Sequence, residues 1–382
     1  MITTPAFITA ASYSTDPKVA AEDLRNQFNE LDLKTVIFFC SAEYDLPELA
    51  KALNTQFVDI NVAGCTTAGE ITPLGYGQGC ITAIGFSELD FAIHAESIEC
   101  LNNFRLTDAQ TLVDKLISGC RKHQIAPIKG NTFALTLLDG LSIQEENVLV
   151  TLNSALGSIP NFGGSAADDI HLAKTHVFFN GQFHTGAAVV MMFNTVYDFE
   201  VFSTHHMQHK DMKLVVTSAD AEERCVYELN AEPAALVYAE AIGMPVEDLS
   251  PDVFALNPIA VKLGEEFYVR SIQQVTDDLS LKFYCAVENG IVLTVMESGD
   301  LIGNLNSTLD SIKAQIGEPQ LIIGCDCFLR RLESEQDGYS ENVSQLLKDN
   351  NVIGFNTYGE QLEGLHINQT FTAVAIGRKR HG

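Results

Sequence analysis

The sequence has no tryptophan, few charged residues and a small share of basic side chains. Charged residues make up 19% of the 382, and 50 acids outnumber 23 lysines and arginines, giving a formal net charge of −27. This negative field repels nucleic-acid backbones and anionic lipids, so a general role on either is disfavoured. No apolar run approaches the roughly 20 residues that a membrane helix requires. Residues 1–11 lack both a basic and a long apolar segment, so we expect no secretory signal and a cytoplasmic protein.

The chain is long and apolar enough to form more than one domain. Apolar residues make up 46% of its 382 residues, which favours two domains or one domain with internal duplication. Long polar tracts are absent, so extensive disorder is disfavoured. The nine cysteines are an odd number without the spacing of a disulfide framework. In a chain without an export signal we expect them to be reduced and mostly buried.

A repeated pattern links the two ends of the chain. Residues 64–70 and 354–360 both read G-x-x-T-x-G-E. The similarity continues downstream without a gap, and the apolar run upstream of each turn is followed by a helix-like stretch. The further matching segments are residues 36–40 with 321–325, and 81–84 with 371–374.

A third, weaker copy lies between the first two, in residues 134–169. Its glycine-containing turn aligns Ser165 with Thr66 and Asp169 with Glu70. The shared unit is a buried strand, a helix, a short strand, a small-residue turn and a strand. Continuous apolar runs bounded by glycine indicate strands that are buried on both faces. The sequence therefore predicts an α/β or mixed α+β fold, with two modules of repeated units in layered sheets covered by helices.

A polar segment rich in histidine, residues 205–211, separates two apolar stretches and indicates a module boundary. We therefore predict an N-terminal module of residues 1–205 and a C-terminal module of residues 206–382. Within the second module, Asn289 and Gly290 lie between two apolar runs. Asn-Gly in this position predicts a β-hairpin.

These repeats carry a family resemblance that covers nearly the whole chain. The sequence resembles FIST sensory proteins that have an N-terminal and a C-terminal FIST module in tandem. The most specific elements are TYGE at residues 357–360 and NQT at residues 368–370. The matching stretches are residues 64–71, 163–169, 215–235, 283–296, 325–331 and 354–377.

Within the family, STHH at residues 203–206 and KLVVT at residues 213–217 resemble the stand-alone haem proteins that sense nitric oxide. This resemblance implies non-covalent haem b, a response to nitric oxide or another diatomic gas, and regulation of a partner histidine kinase or cyclic-di-GMP enzyme. FIST domains as a class are also proposed to bind small ligands such as amino acids. A haem-free sensory module with an amino-acid-like ligand is therefore the alternative function.

Histidines near the module boundary are candidate axial ligands of haem iron. His205, His206 and His209 form the densest histidine cluster, and imidazole is the usual proximal ligand in such proteins. If the strand from Tyr197 continues this far, alternation puts His205 on the apolar face, which favours His205 and keeps His206 as an alternative. A loop with solvated histidines is the competing interpretation. His366 is a further axial or distal candidate, or a structural histidine. The absence of C-x-x-C-H excludes covalent haem attachment.

Acidic residues follow each of the repeated turns. In the alignment, Glu70, Asp169 and Glu360 occupy equivalent positions, where converging carboxylates would bind an amine or a cation. Each carboxylate can equally accept hydrogen bonds from its own turn, which would make the turn part of the scaffold. The remaining candidate ligand-binding residues of the turns are Thr67, Gly69, Tyr358 and Gly359.

Other motifs give weaker chemical signals. Cys325 and Cys327 lie beside two arginines and are either a metal or redox pair or buried thiols at a strand end. The glycines of residues 75–79 do not have the dinucleotide-binding spacing, and Ser165 has no recognisable base partner. We therefore predict no catalytic residues and a sensor rather than an enzyme. The sequence is compatible with a homodimer.

Overall fold

In the computed structural model, which describes residues 5–380, three similar units surround a common core and a further domain is inserted into the third unit. The predicted fold class, repeated units in layered sheets covered by helices, is confirmed. Residues 1–4, in the segment for which no signal is predicted, lie outside the described residues, as do residues 381–382 of the predicted C-terminal module.

The first unit contains two helices whose beginnings are encoded locally. The side chain of Asp16 accepts hydrogen bonds from the backbone N–H groups of Lys18 and Val19, and that of Asp45 accepts one from Glu48. Each helix has a proline in its first turn. The backbone N–H that proline lacks would have no hydrogen-bond partner within the helix at this position. The elements of unit 1 are β1 (Phe7–Ser12), α1 (Pro17–Gln27), β2 (Leu33–Ser41), α2 (Leu46–Gln56), β3 (Asn61–Thr67), β4 (Glu70–Thr72), β5 (Gly75–Gly77) and β6 (Ile81–Ser87).

The second unit repeats this order with a longer first helix. That helix buries Ala109, Leu112, Val113, Leu116 and Cys120, a spacing that keeps one helical face on the sheet. A short 3₁₀ turn precedes it. The elements of unit 2 are β7 (Phe91–Ile98), α3 (Leu106–His123), β8 (Thr132–Leu138), α4 (Glu145–Leu156), β9 (Asn161–Ser165), β10 (Val177–Phe179), β11 (Gln182–His184) and β12 (Ala188–Thr195).

The third unit begins with β13 (Tyr197–Thr204), after which the chain forms the inserted domain. The inserted domain is an eight-stranded sheet with two helices, one of which begins directly after Pro233. Its elements are β14 (Gln208–Asp220), β15 (Cys225–Leu229), β16 (Glu232–Pro233), α5 (Ala234–Ile242), α6 (Pro251–Leu256), β17 (Ile259–Leu263), β18 (Glu266–Arg270), β19 (Ile272–Val275), β20 (Leu281–Phe283) and β21 (Val292–Glu297).

The chain then returns to complete the third unit. The side chain of Asp300 accepts a hydrogen bond from the backbone of Gly303 and so caps the first helix of this segment. The elements are α7 (Leu301–Ile316), β22 (Leu321–Cys327), α8 (Phe328–Gln336), α9 (Ser340–Asp349), β23 (Val352–Thr357), β24 (Glu360–Leu362), β25 (Leu365–Ile367) and β26 (Phe371–Lys379).

Each unit contributes a short hairpin to the sheet of another unit. The strand orders are β1-β6-β2-β3-β10-β11, β7-β12-β8-β9-β24-β25 and β13-β26-β22-β23-β4-β5. The hairpin of unit 1 therefore completes the sheet of unit 3, that of unit 2 completes the sheet of unit 1, and that of unit 3 completes the sheet of unit 2. Because strand edges need hydrogen-bond partners, this cyclic exchange joins the three units into one ring.

The exchanged hairpins correct the sequence alignment of the third copy. Glu70 and Glu360 begin the exchanged strands of units 1 and 3. In unit 2 the residue in the same register is Val177, so the predicted equivalence of Asp169 with these glutamates is wrong. Asp169 lies in the connection of residues 166–176, which is longer than the two-residue turns of the other units. An alignment without a gap could not accommodate that connection.

The predicted hairpin around Asn289 and Gly290 is also not formed. Strands β20 and β21 belong to the same sheet, but β14 and β15 separate them. The side chain of Asn289 accepts a hydrogen bond from the backbone N–H of Ala219 at 2.7 Å and donates one to its carbonyl at 3.0 Å. Gly290 does adopt a positive φ of 81°. The local turn signal is thus correct, whereas long-range pairing decides which strands are neighbours.

Apolar side chains of all three units meet in one central core. Phe39 of β2 stacks on Phe355 of β23 with ring centroids 4.6 Å apart, and Phe133 of β8 stacks on Phe193 of β12 at 4.7 Å. Helices cover the opposite faces of these sheets and form separate apolar clusters. Burial on both faces is what the continuous apolar runs of the sequence predict.

The predicted boundary between residues 205 and 206 lies where the chain leaves β13 for the inserted domain. The sheet of unit 3 combines β13 with β22, β23 and β26, so it contains strands from both sides of that boundary. The division into residues 1–205 and 206–382 stays a prediction about sequence modules, and the sheets do not follow it.

Gly69 and Gly359 are expected to tolerate no side chain, for different reasons. Gly69 has a φ of 137°, and a β-carbon there would lie 1.8 Å from Nη1 of Arg331. A β-carbon on Gly359 would lie 1.9 Å from Nε2 of His366. Because backbone strain and overpacking each cost roughly 1–3 kcal/mol, Gly69→Ala and Gly359→Ala should both lower the free energy of unfolding measured with denaturant.

Gly130→Ala is the control for these variants. Gly130 has a φ of 76°, and no heavy atom of the described chain lies within 4 Å of its β-carbon position. Gly130→Ala therefore introduces backbone strain without a steric clash. It should lower the free energy of unfolding less than Gly69→Ala does. An unchanged stability of Gly359→Ala would contradict the tight contact with His366.

Candidate functional site

The parallel strand pairs β2–β3, β8–β9 and β22–β23 each end in a crevice, the usual place for ligands in open α/β sheets. Residues after β2 line a cavity of about 1060 Å³, which we call the unit 1 cavity. Residues after β8 line a cleft of about 870 Å³ against the inserted domain, which we call the interdomain cleft. After β22 buried ion pairs occupy this position, and a smaller cavity of about 350 Å³ remains between the helices of unit 3 and the exchanged hairpin β4–β5.

The ion pairs after β22 surround His206. Nε of Arg330 donates to Asp326 at 2.7 Å, and Nη1 of Arg330 donates to Nδ1 of His206 at 2.9 Å. Since Nδ1 accepts, the proton of the ring is on Nε2, which donates to Glu333 at 2.8 Å. Tyr76 of the exchanged hairpin donates to the second oxygen of Asp326 at 2.5 Å. Burial lowers the pKa of His206, with Arg330 acting in the same direction, so the ring is neutral.

This geometry bears on the predicted axial ligands. Both ring nitrogens of His206 are engaged, so it has no free nitrogen for iron. Nδ1 of His366 bonds Glu146 at 3.1 Å, and its buried Nε2 lies against Gly359 without a hydrogen-bond partner among residues 5–380. His205 is half-buried, and its Nδ1 has no hydrogen-bond partner among residues 5–380. The haem prediction therefore stays a prediction that rests on His205.

The interdomain cleft has one wall from the core and one from the inserted domain. The core contributes residues 140–143 and 170–173, and the inserted domain contributes residues 249–254 and 273–284. Small-molecule sites occur preferentially in such positions between domains. The cleft is lined by apolar side chains together with polar groups that include Ser250, Gln273, Gln274 and Lys282.

A buried arginine fastens the inserted domain beside this cleft. Nη2 of Arg224 donates to Glu145 at 2.6 Å and to Glu146 at 2.7 Å, and Nη1 donates to the carbonyl of Tyr284 at 2.6 Å. The two glutamates begin helix α4 of the core. Burial alone would raise the pKa of Glu146, but the neighbouring His366 and Arg224 hold this pKa below its usual range. Removing one partner of such a buried pair typically costs about 3–5 kcal/mol.

Asp168 orders the core wall of the cleft. It accepts backbone hydrogen bonds from Ala173 at 2.8 Å and Lys174 at 2.7 Å, and the hydroxyl of Tyr358 donates to it at 2.5 Å. Tyr358 is buried and bonds the carbonyl of Asp169 at 2.8 Å. The predicted ligand residue Tyr358 thus holds the loop that forms the wall.

The remaining turn residues lie inside the scaffold. Glu70 is fully buried and accepts hydrogen bonds from Thr67 at 2.5 Å and from the thiol of Cys80 at 3.1 Å. Glu360 is equally buried and accepts from the hydroxyl of Thr370 at 2.8 Å. These hydrogen bonds fit the scaffold role that the sequence analysis kept as an alternative for both glutamates. Neither glutamate lines the unit 1 cavity or the interdomain cleft. The carboxylate of Asp169 lies apart from them and accepts from Gln78.

Cys325 and Cys327 are buried, unpaired thiols of strand β22. Burial raises the pKa of both thiols well above the usual value, with Glu360 acting in the same direction. A thiol kept protonated is a poor nucleophile and metal ligand. No group of three or more metal-ligating side chains is present in residues 5–380.

The sequence prediction missed the residues that join the two walls. Arg224 and Glu145 are far apart in the chain, and nothing in their local pattern predicts the ion pair. The adjacent acids Glu145 and Glu146 at a helix start are the single signal that points to this place. The pairing of Arg330 with His206 is equally non-local.

Comparison with protein-family models identifies two consecutive segments. The FIST N domain matches residues 34–232, more than half of the chain, and the FIST C domain matches residues 234–363. The chain belongs to the FIST family. FIST domains are sensory domains of signal transduction, and the matches do not extend to the nitric-oxide-sensing haem subgroup. The two segments meet at residue 233, within the inserted domain. No curated protein matches the chain.

None of the helices in residues 5–380 combines the length and apolar composition needed to cross a membrane.

Glu70 is expected to make the stability of this FIST protein depend on pH. Burial raises its pKa from 4.5 to about 7, although hydrogen bonds from Thr67 and Cys80 oppose the shift. The protonated carboxyl favours the folded state, so its contribution is present below pH 4.5 and is lost as the pH rises through about 7. The loss amounts to about 3 kcal/mol between these limits.

The measurement compares denaturant unfolding of the wild type and Glu70→Gln at pH 5 and pH 8. Other groups titrate in this range, so the difference between the two proteins isolates Glu70. Glu70→Gln should lose less stability between the two pH values than the wild type does. The exposed Glu222→Gln is the matched control. The same pH dependence in Glu70→Gln and wild type would refute the raised pKa.

Proposed function

We propose that this FIST protein is a sensor that binds a small amino-acid-like molecule in the interdomain cleft. The observation that carries the proposal is that the two walls of the cleft belong to different parts of the fold. A ligand that contacts both walls stabilises one arrangement of the inserted domain relative to the core. A sensor needs such a difference in affinity between two states, since a ligand with equal affinity shifts nothing.

The groups in the cleft suit a carboxylate-bearing ligand. Lys282 is half-buried in the wall and is not among the lysines that form ion pairs in residues 5–380. Arg224 is already paired with Glu145 and Glu146, so Lys282 is the cation available to a ligand. Gln274 and Ser250 supply neutral hydrogen-bonding groups, and the apolar lining accommodates a side chain.

The output passes to a partner protein, which we propose is a histidine kinase or a cyclic-di-GMP enzyme, as the family resemblance implies. The chain itself acts as a sensor and not as an enzyme. A net charge of −27 favours a contact with a basic surface on that partner. Such contacts weaken as salt screens the charges.

Binding is tested by isothermal titration calorimetry with each of the twenty L-amino acids. At least one should bind, and Lys282→Ala should weaken that binding about tenfold because a charge-assisted hydrogen bond is lost. Lys122→Ala, an exposed lysine of α3 outside the cleft, should leave the affinity unchanged. Failure of all twenty to bind, or equal affinity of Lys282→Ala and wild type, would reject the proposed cleft ligand.

Haem b is the second candidate ligand, because the buried Nδ1 of His205 has no hydrogen-bond partner among residues 5–380. His205 would hold the group, and its iron would supply reversible coordination of nitric oxide. Since both ring nitrogens of His206 and Nδ1 of His366 are engaged elsewhere, we expect protein from haem-replete cells to lack a Soret band at one haem per chain. A stoichiometric band that His205→Ala abolishes and the exposed His123→Ala retains would favour the haem sensor instead.

A further inference from the structure

The unit 1 cavity lies on the other side of the core loop that forms a wall of the interdomain cleft. Helix α2 and the exchanged hairpin β10–β11 form its sides, at the carboxyl end of β2. Asn54 of α2 donates to the carbonyl of Gly181 in the hairpin turn at 2.9 Å, so these two walls are held together. The apolar part of the lining consists of Ala42, Tyr44, Leu46, Pro47, Ala50 and Phe183.

Two lysines and a histidine lie in this cavity although acids dominate the chain, and burial together with Lys174 lowers the pKa of that histidine, His176. Lys51, Lys174 and His176 line it together with a single acid, Asp45. The carboxylate of Asp45 accepts the backbone N–H of Glu48 at 3.1 Å, so it is engaged at the helix start. Lys174 is not among the lysines that form ion pairs in residues 5–380. An unneutralised ammonium over an apolar wall attracts an anion.

His176 is held in position and leaves one polar atom without a partner. Its backbone N–H bonds the hydroxyl of Thr66 at 3.0 Å, and its carbonyl accepts the N–H of Thr66 at 2.9 Å. Nδ1 of the ring is buried and has no hydrogen-bond partner among the described residues. Such an atom is costly unless something occupies the space in front of it.

The space between the helix and the exchanged hairpin is narrower or closed in the other two units. In unit 3 the cavity measures about 350 Å³, and its arginine, Arg331, is paired with Glu335 at 2.7 Å. In unit 2 the contact of Glu146 with His366 joins the helix to the exchanged hairpin. The open, basic cavity of unit 1 is therefore not a general consequence of the repeated architecture.

We propose that the unit 1 cavity is a second ligand site, which binds a small organic anion with an apolar body. The carboxylate or phosphate of the ligand contacts Lys174 and His176, and its apolar body packs on Tyr44 and Phe183. This site stands independently of the ligand proposed for the interdomain cleft.

The test uses four probes that share one ring and differ in charge: benzoate, phenyl phosphate, benzyl alcohol and benzylamine. Affinity for the full chain is measured by ligand-observed NMR titration. At least one of the two anions should bind, benzyl alcohol should bind more weakly, and benzylamine should not bind. The order of benzoate and phenyl phosphate then identifies the anionic group that the site prefers.

Variants locate the binding. Lys174→Ala should lower the affinity for the better anion about tenfold, since a hydrogen bond to a charged group is lost. Ala50→Phe should block the cavity, and circular dichroism verifies that each variant is folded. Lys348→Ala, an exposed lysine of α9, is the matched control and should bind normally. The proposal is overturned if benzylamine binds as well as the anions, if neither anion binds, or if Lys174→Ala and Ala50→Phe both retain wild-type affinity.

Discussion

The backbone hydrogen bonds of the exchanged hairpins are the constraint on which the rest of the fold depends. Each hairpin leaves its own unit and pairs with an edge strand in the sheet of another unit. The backbone groups of that edge therefore find hydrogen-bond partners only when the units are assembled. The exchange brings the glycine-containing turns into the interior and buries Glu70 and Glu360. It also places the hairpins against helices of other units, where the unit 1 cavity and the network around His206 are formed.

One loop of unit 2 connects the two proposed ligand sites. Residues 170–173 line the interdomain cleft, whereas Lys174 and His176 line the unit 1 cavity. Asp168 accepts the backbone N–H groups of Ala173 and Lys174 and so links both halves of the loop. Any coupling between the two proposed sites would pass through this loop. Such coupling between sites is reciprocal by thermodynamic necessity.

Buried ion pairs determine how the inserted domain is held. Arg224 reaches from the inserted domain to Glu145 of α4, and His206, at the entry of that domain, bonds Arg330 of α8. Desolvation offsets much of the attraction within such pairs, so they contribute less to stability than to a defined geometry.

Local features were predictable from the sequence, namely the repeats and the buried strands, because hydrophobic periodicity and turn glycines act within a few residues. The family followed from the same motifs. The exchange of hairpins, the place of Val177 where Asp169 was expected, and the partners of Arg224 were not predictable. They depend on contacts between residues far apart in the chain, and only the tertiary structure decides which of many compatible strand edges and charges meet.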